Sequence, residues 1–371
     1  MPAPSSPPPS SPPRSLRAPL RAAAGGAVAL LLATGCGVGP DHPAEPDPPG
    51  SDPVEREVSF DSGPDTVYGT LALPETAADA PVPGALIISG SGPTDRDGNS
   101  ELRASADTNL NLARILADAG VASLRYDKLG SGRTGLGDRD TDDPVPYEVF
   151  ERQMADAYAE LLGRPEVDPE RVVVVGHSEG ALFALRSPDV VAEHPPAGLV
   201  LAAPMGDRYL DTLDRQITEQ VRSAESARRI TAEGATDMLS ELRQGIARIR
   251  ADEPLSEQVE PPLGAVLNPG NAPFLRTIDS MDPAELAREL PAETSTLVLW
   301  GTADAQISES DVDRLMDGLS GQADARRVDL PDADHILRVY DDAPGVSALD
   351  ADRAFAPEVE PALREFLDGV L

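Results

Sequence analysis

The sequence predicts an α/β fold: a mostly parallel central sheet, an antiparallel hairpin at its start and a helical cap inserted late. Three observations carry that prediction. Short apolar runs, most of them bordered by glycine, alternate with helical patterns, the order expected of strands buried on both faces of a parallel sheet. Two stretches rich in β-branched and aromatic residues stand before them, parted by a turn. Between Pro204 and Pro291 the strand-like runs stop and only helical spacing remains.

In chain order, Glu57–Phe60 and Thr66–Leu73 flank Asp61-Ser-Gly-Pro-Asp65 and form the hairpin. The buried strands are expected at Ala85–Ile88, Val121–Arg125, Arg171–Val175, Gly198–Ala202, Thr296–Trp300 and Arg326–Leu330. In the insert, Leu210, Leu213, Ile217 and Val221 recur every three or four residues, as do Leu239, Leu242, Ile246 and Ile249. This segment, about 205–291, is expected over the carboxyl edge of the sheet, where open α/β sheets hold their ligands. A last helix is expected over Asp352–Leu367.

The 371 residues carry 31 basic against 64 acidic side chains, a formal charge of −33. Such a charge repels phosphate backbones and anionic lipid headgroups, so no nucleic-acid partner is expected. One cysteine can form neither an internal disulfide nor a cysteine zinc site. With one tryptophan, six tyrosines and six phenylalanines, the core must be aliphatic. Lys128 is the only lysine, a bias read from the sequence as genome composition without chemical weight.

Residues 1–21 hold Arg14, Arg17 and Arg21 and no acid, and Ala22 to Thr34 is a run of small and apolar residues too short to span a bilayer, which takes about 20. A positive flank, a short apolar core and small residues at Ala33 and Gly35 make residues 1–35 an export signal cut after Gly35. Leu32-Ala-Thr-Gly-Cys36 resembles the lipobox of bacterial lipoproteins. The resemblance implies lipidation of Cys36 and anchorage at the outer face of the membrane; the other reading is an ordinary cleaved signal and a soluble secreted protein. Residues 36–56, rich in Pro, Asp and Gly, form a tether.

Gly176-His-Ser-Glu-Gly180 follows the apolar run Val172–Val175 and opens into Ala181-Leu-Phe-Ala-Leu-Arg186, good helix formers without proline. Strand, sharp turn and helix are the setting of a nucleophile elbow, with Ser178 as nucleophile. A serine hydroxyl needs a neighbouring base. His42 lies in the tether, His177 adjoins the serine and is expected to point elsewhere, and His194 precedes two prolines; His335, just past the last strand, is the candidate. Asp304 follows the strand Thr296–Trp300 and is the candidate to orient His335, with Asp332 and Asp334 as alternatives. The order Ser178, Asp304, His335 is that of an α/β-hydrolase.

From about Val58 to its end the chain resembles an α/β-hydrolase of the bacterial carboxylesterase and serine-aminopeptidase-like group. The matching stretches are Ser89-Gly-Ser-Gly-Pro-Thr-Asp-Arg-Asp-Gly-Asn99, Asp127-Lys-Leu-Gly-Ser-Gly132, Gly176–Gly180, Trp300-Gly-Thr-Ala-Asp304 and Asp334-His335. The resemblance implies one hydrolase domain over 57–371, a Ser178, Asp304, His335 triad, short acyl esters as substrates, and no cofactor or metal. It also implies an oxyanion hole from the backbone N–H groups of Ser91 and Glu179, with Gly90 and Gly92 as alternatives. An amidase or peptidase of the same fold, or a non-catalytic binding lipoprotein, are the rival readings.

Two patterns are set aside. Gly130-Ser-Gly-Arg-Thr-Gly135 fits a dinucleotide fingerprint, but the acidic loop after it cannot open a helix to receive a pyrophosphate. Asp138, Asp140 and Asp142 alternate like a calcium loop, yet Asp143 and Val149 stand where glycine and glutamate are required.

Overall fold

The computed structural model describes residues 53–371 apart from 79, 141–142, 257–258, 260–261 and 341–348. The expected signal at 1–35, Cys36, the tether up to residue 52 and Asp142 lie outside the described residues.

Eight strands form one sheet in the order β1-β2-β4-β3-β5-β6-β7-β8. They are β1 Val54–Ser62, β2 Asp65–Leu73, β3 Val82–Ile88, β4 Ala122–Tyr126, β5 Val167–His177, β6 Gly198–Ala202, β7 Ser295–Gly301 and β8 Ala325–Leu330. The first two form the antiparallel hairpin, β2 runs antiparallel to β4, and every remaining pair is parallel. The hairpin begins at Val54, so residues 54–56 belong to the sheet and not to the tether. Their backbones pair with residues 71–73 of β2, and that ladder overrides the polar character of Glu55 and Arg56.

Successive strand residues face opposite sides, and in the inner strands both sides are buried. Leu86, Ile88, Val172, Val174, Leu199, Leu201 and Val298 fill one core. Alternate residues Ile87, Val173, Val175, Val200, Leu297 and Leu299 fill the other. Helices α1 Thr108–Asp118 and α9 Val359–Val370 cover the second face through Leu112, Leu116, Leu363 and Phe366. Helices α2 Tyr147–Leu162, α3 Glu179–Val190 and α8 Glu309–Leu319 cover the first, which continues into the cap. Each fully buried Val, Leu or Ile contributes about 1.5–3 kcal/mol, so this two-sided filling holds the frame.

The last helix starts at Val359, seven residues later than the sequence pattern suggests. Residues 354–356 are bonded to the chain after His335 instead: Val339 N–H donates to Ala354 O and Ala356 N–H to Leu337 O, both at 2.8 Å. Pro357 then separates this pairing from the helix.

The cap comprises α4 Tyr209–Ser226, α5 Ala232–Arg250, α6 Ala272–Ser280 and α7 Pro283–Glu289. Its apolar stripes pack inward, with Leu213, Ile217, Leu242 and Ile249 buried. Asp279 of α6, 2 % exposed at its side chain, ties three cap helices together. Its carboxylate accepts from Leu210 N at 2.9 Å, Arg208 Nη2 at 2.9 Å, and Arg250 Nε and Nη2 at 2.8 and 3.1 Å.

Candidate active site

The end of β5 and the start of α3 meet in the turn that carries Ser178, whose φ of 54° and ψ of −119° put a non-glycine residue in left-handed backbone. Glycine is required on both sides of it. A Cβ on Gly176 would run into the carbonyl of Gly180, and one on Gly180 would run into the carbonyl of Ile88. Ser178 N–H donates to Ala202 O of β6 at 2.8 Å, which pins the turn to the neighbouring strand.

His335 stands on the loop after β8. Its Nε2 lies 3.0 Å from Ser178 Oγ, and its Nδ1 lies 2.8 Å from Asp304 Oδ2. Asp304 follows β7, and its other oxygen accepts from Gln306 N at 2.7 Å and Ile307 N at 2.9 Å. Burial works against ionisation of Asp304, but the charge and hydrogen bond of His335 and the two backbone donors outweigh it and hold the carboxyl below its usual range. The ionised carboxylate fixes the Nδ1–H tautomer, leaving Nε2 to accept from the serine hydroxyl. The two loops can approach because Gly301 has no side chain: a Cβ there would collide with the carbonyl of Ala333. Ala303 N–H reaches that same carbonyl at 2.9 Å.

Asp332 and Asp334 are not at the imidazole. Asp334 binds the backbone N–H groups of Ile336 and Arg338 and pairs with Arg353 at 2.9 Å, and Asp332 is exposed in a turn. His194 is exposed. His177 is not a spectator: its buried Nε2–H donates to the carbonyl of His335 at 2.8 Å, and the two rings lie 5.1 Å apart. Burial first, then the charge of His335, lowers its pKa to about 4, so it is neutral at neutral pH.

Near the expected oxyanion hole, a Cβ built on Gly90 would sit 3.2 Å from Ser178 Cβ, so the 89–92 stretch passes beside the nucleophile at Gly90. Ser91 is half-buried, and its carbonyl accepts from Thr94 Oγ1. Asn109 Nδ2 donates to Ser89 Oγ, which donates to Asp95 O, so Ser89 braces the loop. Glu179 begins α3, at the first turn of a helix, where backbone N–H groups have no partner inside the helix. Its side chain is buried and paired with Lys128 at 2.7 Å, a contact the sequence reading missed although the single lysine was its visible sign. Among the described residues no group of three or more His, Cys, Asp or Glu side chains is placed to hold a metal ion.

A family model described as the alpha/beta hydrolase family matches residues 108–349. The chain belongs to the alpha/beta hydrolase family. Esterase EstD of Thermotoga maritima is 25% identical over 284 residues, 76% of this chain; the match spans only 60% of that relative's length. Among solved structures, the esterase Pf2001 of Pyrococcus furiosus is similar with a TM-score of 0.54 at 13% identity, covering 90% of this chain and 99% of the other. A putative hydrolase of Agrobacterium vitis gives 0.51 at 17% identity, covering 85% and 100%. At those identities the structures speak for the fold of this alpha/beta hydrolase alone.

Proposed function

We propose that this alpha/beta hydrolase is a serine esterase acting on carboxylic esters with short acyl chains. The observation that carries the reading is the unbroken line Ser178 Oγ, His335 Nε2, His335 Nδ1, Asp304 Oδ2, at 3.0 and 2.8 Å, mounted on a strained elbow. Likeness to the Thermotoga maritima esterase over most of this chain supports the same chemistry.

In that mechanism Ser178 Oγ attacks the acyl carbonyl while His335 Nε2 takes the hydroxyl proton. Negative charge moves to the carbonyl oxygen, met by the backbone N–H of Glu179 and by that of Ser91 or its neighbour Gly90. The tetrahedral intermediate collapses, His335 returns the proton to the departing alkoxide, and an alcohol leaves. Water, deprotonated by His335, then attacks the acyl-Ser178 ester, and the carboxylic acid departs as Ser178 Oγ regains its proton. Asp304 stays ionised throughout and stabilises the imidazolium.

The cap over the carboxyl edge would set the acyl length accepted. The reading also places the enzyme at the outer membrane face through a lipid on Cys36, with soluble secretion as the outcome if that cysteine is unmodified; the mass of the mature amino-terminal peptide decides between them.

The test compares the wild type with Ser178→Ala, using acetyl, butyryl and octanoyl p-nitrophenyl esters, a peptide anilide panel and a fluorophosphonate probe. We expect the wild type to be labelled and to prefer the shorter esters over the anilides. Ser178→Ala should be unlabelled and slower by about 10⁴-fold or more. Equal labelling, or equal ester turnover by the two proteins, would overturn the reading.

A further inference from the structure

Thirty-one basic residues include one lysine, and it is buried against the residue that follows the nucleophile. The side chains of Lys128 and Glu179 are 4% and 2% exposed, with Nζ and Oε1 at 2.7 Å. Lys128 Nζ also lies over the ring of Phe183, 5.5 Å from its centre, and Tyr147 stacks on the same ring at 5.1 Å. Tyr209, at the start of the cap helix α4, is buried too. Its phenol is raised well above its ordinary value by burial and then by the Glu179 charge. Lys128 is therefore the cation in contact with a carboxylate that has left water.

The lysine is itself held firmly. Its carbonyl accepts from Ser131 N and Oγ at 3.0 and 2.8 Å, and Leu129 N–H donates to Gln153 Oε1 at 3.0 Å. Asp127, the residue before it, accepts from the backbone N and from Nε and Nη2 of Arg96 at 2.7, 3.2 and 2.8 Å. Arg96 belongs to the loop that passes Ser178 at Gly90. Two consecutive residues thus grip the two segments expected to supply the oxyanion donors, one on each side.

Charge adds a reason for the pair. A carboxylate on the residue whose N–H faces the nascent oxyanion would oppose the second negative charge, because like charges in a low-dielectric site repel strongly. A compact ammonium cancels it in a space shared with Phe183, where the wider planar guanidinium used elsewhere in this chain would need more room.

Resting on the esterase reading above, we infer that Lys128 is a positioning residue of the oxyanion hole: its contact with Glu179 fixes the first turn of α3 and neutralises the carboxylate beside the donor N–H. It touches no reacting atom, and its effect falls on the transition state and not on substrate binding.

The experiment measures kcat and KM for p-nitrophenyl acetate, together with thermal unfolding, in Lys128→Met and in Lys128→Met combined with Glu179→Gln. Lys128→Met should lower kcat by about 100-fold, the loss typical of a weakened oxyanion stabiliser, with KM changed by less than about threefold. The double variant carries no buried charge at the pair and should recover at least about tenfold of that kcat. If the single variant does not fold, the double variant decides: folded with kcat between about 1 in 100 and about 1 in 3 of wild type supports the inference, and folded at wild-type kcat or slower than about 1 in 100 overturns it. A folded Lys128→Met with wild-type kcat, or a loss expressed in KM alone, also overturns it. Ser178→Ala is run alongside: hydrolysis that survives there removes the esterase reading and this inference with it, whereas Ser178-dependent hydrolysis indifferent to Lys128 removes only the latter.

Discussion

The sheet rim and the cap of this alpha/beta hydrolase are assembled by different forces. At the rim, backbone hydrogen bonds and close-packed strands place the three candidate catalytic side chains: Ser178 N–H on Ala202 O, Asp304 N–H on Gly301 O, Ala303 N–H on Ala333 O. In the cap, beyond the apolar stripes, arginines and aspartates hold one helix to the next and to the frame. Asp279 gathers Arg208 and Arg250, Arg215 reaches Asp311 of α8, and Arg314 of α8 reaches Asp282. The contrast separates two requirements. Proton transfer along a line of 3 Å contacts needs a frame that does not give, whereas helices laid over that frame can be fastened by side-chain ion pairs, here centred on the buried carboxylates of Asp279 and Asp311.

The largest effect should come from breaking the rim without touching the cap. Asp304→Asn removes the charge that stabilises the imidazolium and favours the wrong tautomer of His335, so kcat should fall by about 10⁴-fold. The amide still fills the space, and hydrogen exchange in α4, α5 and α6 should stay as in the wild type. A fall of less than about tenfold would mean that Asp304 does not serve the imidazole.

The converse change is Asp279→Ala in the cap. It leaves Arg208 and Arg250 without their shared carboxylate and Leu210 N–H without its acceptor. Both arginines are about a third exposed and can rehydrate, so the loss should be about 3 kcal/mol, at the lower end for a broken buried pair. Exchange should rise in the cap helices first. For the smallest ester kcat should hold within a few-fold while KM changes, and an equal loss of kcat would show that cap and rim are not mechanically separate.

The contrast also explains what the sequence could tell. Inner strands were legible because burial on both faces leaves uninterrupted apolar runs: Gly198–Ala202 matches the strand residue for residue, and the others fall within it or one residue outside. Cap helices α4 and α5 announced themselves by spacing. The order Ser178, Asp304, His335 and the glycines at 176 and 180 sufficed to choose the three side chains that the structure brings together. Contacts between distant side chains left little trace, the single lysine apart. Asp334 adjoins His335 in sequence yet serves Arg353, His177 adjoins Ser178 yet serves His335, and neither assignment follows from spacing. The late start of α9 was hidden because residues 354–356 are claimed by backbone pairing with a segment that only the fold brings near.

The smallest effect sharpens the comparison at its rigid end. His177 is buried with its pKa lowered to about 4, against about 6.5 when the chain unfolds. Between those values the unfolded chain binds the proton and the folded one does not, so stability rises with pH across that window. The contribution is fully present above about pH 6.5 and is lost as pH falls toward 4, which amounts to about 2 kcal/mol between pH 7 and pH 5. Denaturant unfolding of the wild type and His177→Asn at those two pH values isolates it, because every other titrating group is common to both proteins. The wild type should lose about 2 kcal/mol more than the variant on acidification. Parallel losses would mean that His177 protonates as easily folded as unfolded, and the bond it donates to the His335 carbonyl could not then be the fixed strut that a rigid rim requires.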